Sequence, residues 1–181
     1  GTNTYTGATT INGGTLRLTA SAFTPITGAG ASGAILNGGK LVMDYTGGSS
    51  PKSQLVDDPA VGIKANAANP ANGRLRTALA TDNTKAIGWL DDGISTFQAR
   101  YTHKGDIDLD GMVTSVDFNA FVAGYGKSVN AVWGEGDNNY DGAVNTIDFN
   151  FLAGNFGLAP VGGALAAASL GSVIPEPSSL G

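Results

Sequence analysis

The residues of this chain whose types and spacing can do chemistry lie in a segment written twice. It reads GDIDLDGMVTSVDFNAFVAGYG from Gly105 to Gly126 and GDNNYDGAVNTIDFNFLAGNFG from Gly136 to Gly157. With the first aspartate of each copy as position 1, positions 1, 3, 5, 9 and 12 are Asp106, Asp108, Asp110, Thr114 and Asp117, then Asp137, Asn139, Asp141, Asn145 and Asp148. Each of these side chains carries an oxygen. Calcium is a hard cation that gathers roughly six to eight oxygens, and a loop of about twelve residues supplies them from alternate positions plus one backbone carbonyl at position 7. Met112 and Ala143 stand at position 7 and would give that carbonyl, which leaves their side chains free. Glycine at position 6, Gly111 and Gly142, lets the chain reverse around the ion in a conformation that a Cβ hinders. Isolated Asp and Asn residues also make surface turns. Two loops in one register, each followed by Asp-Phe-Asn and an apolar run that closes on glycine, point instead to two bound calcium ions.

Loops of this kind must be held by the elements that flank them. Phe118, Phe121 and Val122 in the first copy, and Phe149, Leu152 and Phe156 in the second, recur at helical spacing, so each loop is predicted to run into a short helix with an apolar stripe. The two helices are expected to pack on each other, with Trp133 filling the connection. Without metal, the four carboxylates of the first loop repel one another and oppose closure.

The pair of loop-helix units resembles a type I dockerin module, whose duplicated units bind calcium with Asp rather than Glu at position 12. The resemblance spans residues 104–157. It implies a small helical module that is folded by calcium and, in cellulosomal proteins, docks onto a cohesin partner. Cohesin-binding dockerins place a Ser-Thr type pair at fixed helix positions, whereas Ser115 and Val116, and Thr146 and Ile147, stand here. That departure favours a structural clamp over a cohesin plug.

Upstream, Thr9 to Leu18 and Ala34 to Met43 each read as strand, Asn-Gly-Gly turn, strand. Leu16 and Leu18 alternate with Thr15 and Arg17, and Leu41 and Met43 with Lys40 and Val42, the period of a half-buried strand. The interval from Asn12 to Asn37 is about one rung of a β-solenoid; an ordinary pair of hairpins is the alternative. The stretch from Thr4 to Leu16 resembles the autotransporter-associated β-strand repeat of large bacterial surface proteins. Two rungs would leave open edges, which invite strand addition from another chain. Leu158 to Ile174, apolar and Gly/Ala-rich, is a candidate added strand.

Ser50 to Asn83 reads as a polar connection with short helices near Lys52 to Asp57 and Arg74 to Ala80. Lys85 to Leu90 and Ser95 to His103 flank Asp91-Asp92-Gly93, a hairpin signal. Phe97, Ala99 and Tyr101 would share one face, and Gln98, Arg100 and Thr102 the other, so the second strand feeds directly into the first loop.

No catalytic constellation stands out. The lone histidine, His103, reads as a strand-end surface residue. Asp57-Asp58 and Asp91-Asp92 sit in turn contexts, and Trp89, Trp133, Tyr5 and Tyr45 read as core or interface aromatics rather than sugar platforms. Hydrophobic residues at 41% against 14% charged exclude bulk disorder, and 28 glycines with many threonines favour turns and strands. The net charge of −5 and the lack of a basic patch argue against nucleic acid. Seven of the fifteen acids are loop residues, so two calcium ions would bring the chain to −1. The absence of cysteine excludes disulfides and thiolate sites. No apolar run reaches membrane-spanning length. Gly1 is not an initiator, so both ends are expected to be cut. The end, Val173 to Gly181, resembles the start of a PEP-CTERM sorting signal, which implies export to the bacterial surface.

The expected architecture is therefore mixed and β-rich. Solenoid- or sandwich-like strands and a hairpin fill residues 1–103, a dockerin-like calcium module fills 104–157, and an extended tail fills 158–181. The expected role is that of a non-catalytic, secreted calcium-binding structural protein, joined to itself or to another surface protein in a fibre or layer. The alternative is a protein- or polysaccharide-binding module at the end of a larger surface enzyme or adhesin.

Overall fold

Each Asn-Gly-Gly segment turns a corner between two sheets and does not close a hairpin. In a computed structural model, which describes residues 6–19, 23–27 and 33–162, strands β1 (Thr9–Ile11) and β2 (Thr15–Thr19) flank the first corner, and β3 (Ala34–Leu36) and β4 (Lys40–Asp44) the second. β1 pairs in parallel with β3, and β2 with β4, each residue meeting the one 25 positions on, as Thr9 meets Ala34 and Thr15 meets Lys40. The corners stack, and the Asn37 amide donates to Asn12 Oδ1 at 3.0 Å.

With β5 (Leu75–Arg76), β6 (Lys85–Asp91) and β7 (Thr96–His103), two sheets result, ordered β1-β3-β5 and β2-β4-β7-β6, with no closed barrel among the described residues. The hairpin forms as expected: β6 (Lys85–Asp91) and β7 (Thr96–His103) pair antiparallel, and β7 continues onto the free edge of β4. Asp92 closes the turn by accepting from the backbone N–H groups of Ile94, Ser95 and Thr96. β1 and β2 both lie at the outer end of their sheets.

The region 50–83 is not a polar connection. A four-residue helix α2 (Lys52–Leu55) forms where one was expected, following α1 (Thr24–Thr27). The expected helix over 74–80 is instead strand β5 (Leu75–Arg76), parallel to β3. The open edge of β3 captures that backbone, and tertiary pairing overrides local helix propensity. Leu55, Val56, Ile63 and Leu75 are buried with Leu36, Leu41, Met43, Phe97 and Tyr101 in one core. Trp89 and Tyr45 are buried there too, and Tyr5 lies outside the described residues.

The loop-helix segment packs on the outer face of the hairpin. Its helices are α3 (Ser115–Gly124) and α4 (Thr146–Asn155). A Cβ on Gly88 of β6 would stand 2.4 Å from the Trp133 ring and 2.7 Å from a Leu109 methyl, so only glycine leaves room for this approach. Trp133 thus fills the sheet face and not the helix connection, contrary to expectation, and it belongs to the main core together with Leu109. The helices meet through the Phe121 and Phe149 rings, 5.9 Å apart. A second core contains Ile107, Val113, Phe121, Val144 and Leu152. Phe118, Val122 and Phe156, expected in that contact, are exposed, and Phe149 is itself exposed beside Phe121. Because the loops themselves supply Ile107, Val113 and Val144, one large residue per helix suffices to close this core.

His103 is also buried, not at the surface, and its Nε2 lies 3.1 Å from the Ala159 carbonyl oxygen. After α4 the chain returns over the second corner, where Val161 O would stand 2.0 Å from a Cβ on Gly38. The candidate added strand beyond residue 162 and the Pro-Glu-Pro end lie outside the described residues. No helix among the described residues is long and apolar enough to cross a membrane.

Candidate metal centre

β7 delivers the chain straight into the first loop. Thr102 Oγ1 donates to Asp106 Oδ2, and the Gly111 N–H donates to the same oxygen at 3.0 Å. Across the loop, Asp117 Oδ1 accepts from the N–H groups of Ile107 at 2.7 Å and Asp108 at 3.2 Å, while its Oδ2 accepts from the Thr114 N–H at 2.8 Å. Asp108 accepts from the Asp110 N–H, and Asp110 from the Met112 N–H. Oxygens of Asp106, Asp108 and Asp117 all lie within 4.8 Å of one another, a group that could hold a metal ion.

The second loop repeats the ladder. Asp137 Oδ2 accepts from the Gly142 N–H at 3.0 Å, Asn139 from Asp141, Asp141 from Ala143, and Asp148 from the N–H groups of Asn138 and Asn145. The Asn139 amide also donates to Asp141 Oδ2 at 2.8 Å. Thr114 and Asn145 at position 9 cap the two helices by accepting from Val116 and Ile147, and the position-12 aspartates complete both capping boxes. One residue pair thus starts each helix and closes each loop. No backbone hydrogen bond among the described residues ends on the carbonyl oxygen of Met112 or Ala143, which leaves position 7 open to a ligand.

The group in the first loop fits a cation; among the described residues neither Asp110 nor the aspartates of the second loop form part of such a group. Asp106 Oδ1 and Asp137 Oδ1 are both buried and have no hydrogen-bond partner. A buried carboxylate oxygen without a partner is costly, and here it occurs at position 1 of both loops. Burial pushes the Asp106 carboxyl up to about 7 and the Asp137 carboxyl up to about 6, and it raises Asp108 and Asp148 as well. Other acids behave as turn groups. Asp58 accepts from Ala60 and Val61, Asp57 pairs with Lys52 and Lys64, and Asp91 accepts from the Tyr45 hydroxyl.

These shifts give a sign that can be tested without a ligand. The folded values for Asp106 and Asp137 lie above the ordinary 3.8, so between about pH 4 and 7 the folded state holds protons that the unfolded chain has released. Stability of metal-free protein is therefore expected to fall as pH rises through that window. Asp44 and Asp82, held down near about 2 by hydrogen bonds, keep their stabilising charge there; burial lowers the pKa of the His103 ring and opposes the fall in the upper part of the window, against the raised carboxyls of both loops. Melting of chelator-stripped, desalted protein at about pH 5 and pH 7.5 checks this. A higher melting temperature at the upper pH would contradict it.

Position 4 was missed by sequence reasoning. Leu109 and Tyr140 hold it with φ of 60° and 64°, a left-handed conformation that is unfavourable for large side chains. Leu109 is buried in the main core, and the Tyr140 hydroxyl donates to the Ile87 carbonyl at 2.5 Å while its ring lies 5.7 Å from that of Trp133. Each loop therefore drives its position-4 side chain into the hairpin. The available signal was a bulky residue at the same place in both copies. Asn138 was missed too: it accepts from the Gly105 N–H at 3.1 Å and donates to the Gly136 carbonyl at 2.7 Å, tying the two loops together. In comparisons with family models, curated proteins and solved structures, the chain matches none.

Proposed function

We propose that the protein is a non-catalytic, calcium-binding structural protein, secreted to the bacterial cell surface, that binds two calcium ions and uses them as clamps. The observation that carries this reading is the pair of buried, unpartnered Oδ1 atoms on Asp106 and Asp137 at the head of two matching loops. Hard oxygen donors, with neither thiolate nor imidazole in the loops and Met112 offering only its backbone carbonyl, suit calcium better than a transition metal. The ligands would be Asp106, Asp108, Asp110, Thr114, Asp117 and the Met112 carbonyl in one loop. In the other they would be Asp137, Asn139, Asp141, Asn145, Asp148 and the Ala143 carbonyl.

The proposed work of the metal is mechanical. An ion draws each loop closed and so fixes Leu109 and Tyr140 against the hairpin, which locks the dockerin-like segment onto the sheets. The 25-residue parallel register supports a solenoid-like reading of the corners, and β1 and β2 are the edges at which another copy would add by strand pairing. Electron microscopy and light scattering of native material with calcium, then after prolonged chelation, test the assembly. Calcium-dependent particles that disperse on chelation are expected, whereas particles unchanged by chelation, or a monomer in both conditions, would overturn it.

A further inference from the structure

A cleft of about 670 Å³ opens between the ends of β6 and β7, the segment 64–70 and the second loop with α4. Lys104, the first residue after β7, lines it and is 7% exposed. Its ammonium donates to Asn83 Oδ1 at 3.1 Å and stands 4.2 Å over the Phe151 ring. The other lysines of the cleft have carboxylate partners, Lys64 with Asp57 and Lys85 with Asp82. No carboxylate among the described residues forms an ion pair with Lys104. A buried ammonium without a counter-charge is costly, and an ammonium offers three donors, of which one is used.

We propose that this cleft binds a carboxylate-bearing saccharide, a uronic acid unit, with its carboxylate on Lys104. A lone ammonium is a point charge suited to one monoanion, and the site lacks the arginine fork that planar phosphate or bidentate recognition uses. Asn83 and Thr81 offer amide and hydroxyl groups to sugar hydroxyls, while Ala67, Pro70 and Phe151 face its C–H surfaces. The volume lies within the roughly 300–1,000 Å³ usual for small-ligand sites.

The test is a titration of the ¹⁵N-labelled full chain, with calcium in excess, by glucuronate and separately by glucose. Saturable amide shifts at Asn83, Lys104, Asn139 and Phe151 with glucuronate are expected, with glucose weaker by about tenfold or more, the range set by one charge-assisted contact. Lys104→Met should bring glucuronate down to the glucose level, and Lys127→Met, outside the cleft and paired with Glu135, should keep it within about twofold. Equal shifts with both sugars, shifts confined to other residues, no shifts, or undiminished binding in a folded Lys104→Met would each overturn the proposal. If Lys104→Met does not fold, the comparison of the two sugars on the native chain decides.

Discussion

Trp133→Ala is expected to cost about 3–5 kcal/mol, the range for deleting a large buried aromatic, and to release the loop-helix segment from the hairpin. The indole is fully buried, lies on the strand where Gly88 has no side chain, and packs against the Tyr140 ring. Its Nε1–H donates to the Asp106 carbonyl at 2.8 Å, so truncation also leaves a polar atom at the head of the first loop unpaired. Trp133→Phe keeps most of the ring but loses that donor and should cost less, about 1–2 kcal/mol. Urea unfolding in calcium measures both. A cost below about 1 kcal/mol for Trp133→Ala would mean that the segment does not depend on the sheet.

The second large effect has two signs. Asp106→Asn combined with Asp137→Asn is expected to abolish the response to calcium while leaving the metal-free protein as stable as the native chain or more so. Each substitution removes a buried charge whose Oδ1 has no partner and whose pKa burial has raised, so the metal-free fold loses a repulsive element. Each also removes the position-1 carboxylate that the ion needs. In the native chain, calcium at about a hundredfold excess over its dissociation constant adds about 2.7 kcal/mol per site. Thermal melts of native and doubly substituted protein, with and without calcium, separate the two effects. A metal-free variant that is strongly destabilised would show that these carboxylates serve the fold directly.

Periodicity and spacing made the two loops legible. The alternation of Asp and Asn with glycine at position 6 is set locally, and the ladder of backbone N–H groups on Asp106, Asp117, Asp137 and Asp148 follows from it. The hairpin and the face carrying Phe97, Ala99 and Tyr101 were legible for the same reason, since strand alternation needs no partner to be seen. What was not legible depends on distant packing. Leu75 reads as helical until the edge of β3 claims it. Trp133 opens a single 3-10 turn between the two helices, and nothing local directs it to Gly88, 45 residues earlier. His103 ends a strand, and only the returning chain at Ala159 buries it. The left-handed Leu109 and Tyr140 are the most instructive case. Their local conformation is unfavourable, and it is maintained because the hairpin accepts their side chains.

The most direct measurement is calorimetric titration of chelator-stripped, desalted protein with calcium, on the native chain and on Asp106→Asn and Asp137→Asn singly. Two ions per native chain are expected and one for each single variant, with magnesium failing to displace them at equal concentration because it tolerates this oxygen cage poorly. Absence of binding, or a stoichiometry unmoved by either substitution, would contradict the assignment of these loops as paired calcium sites.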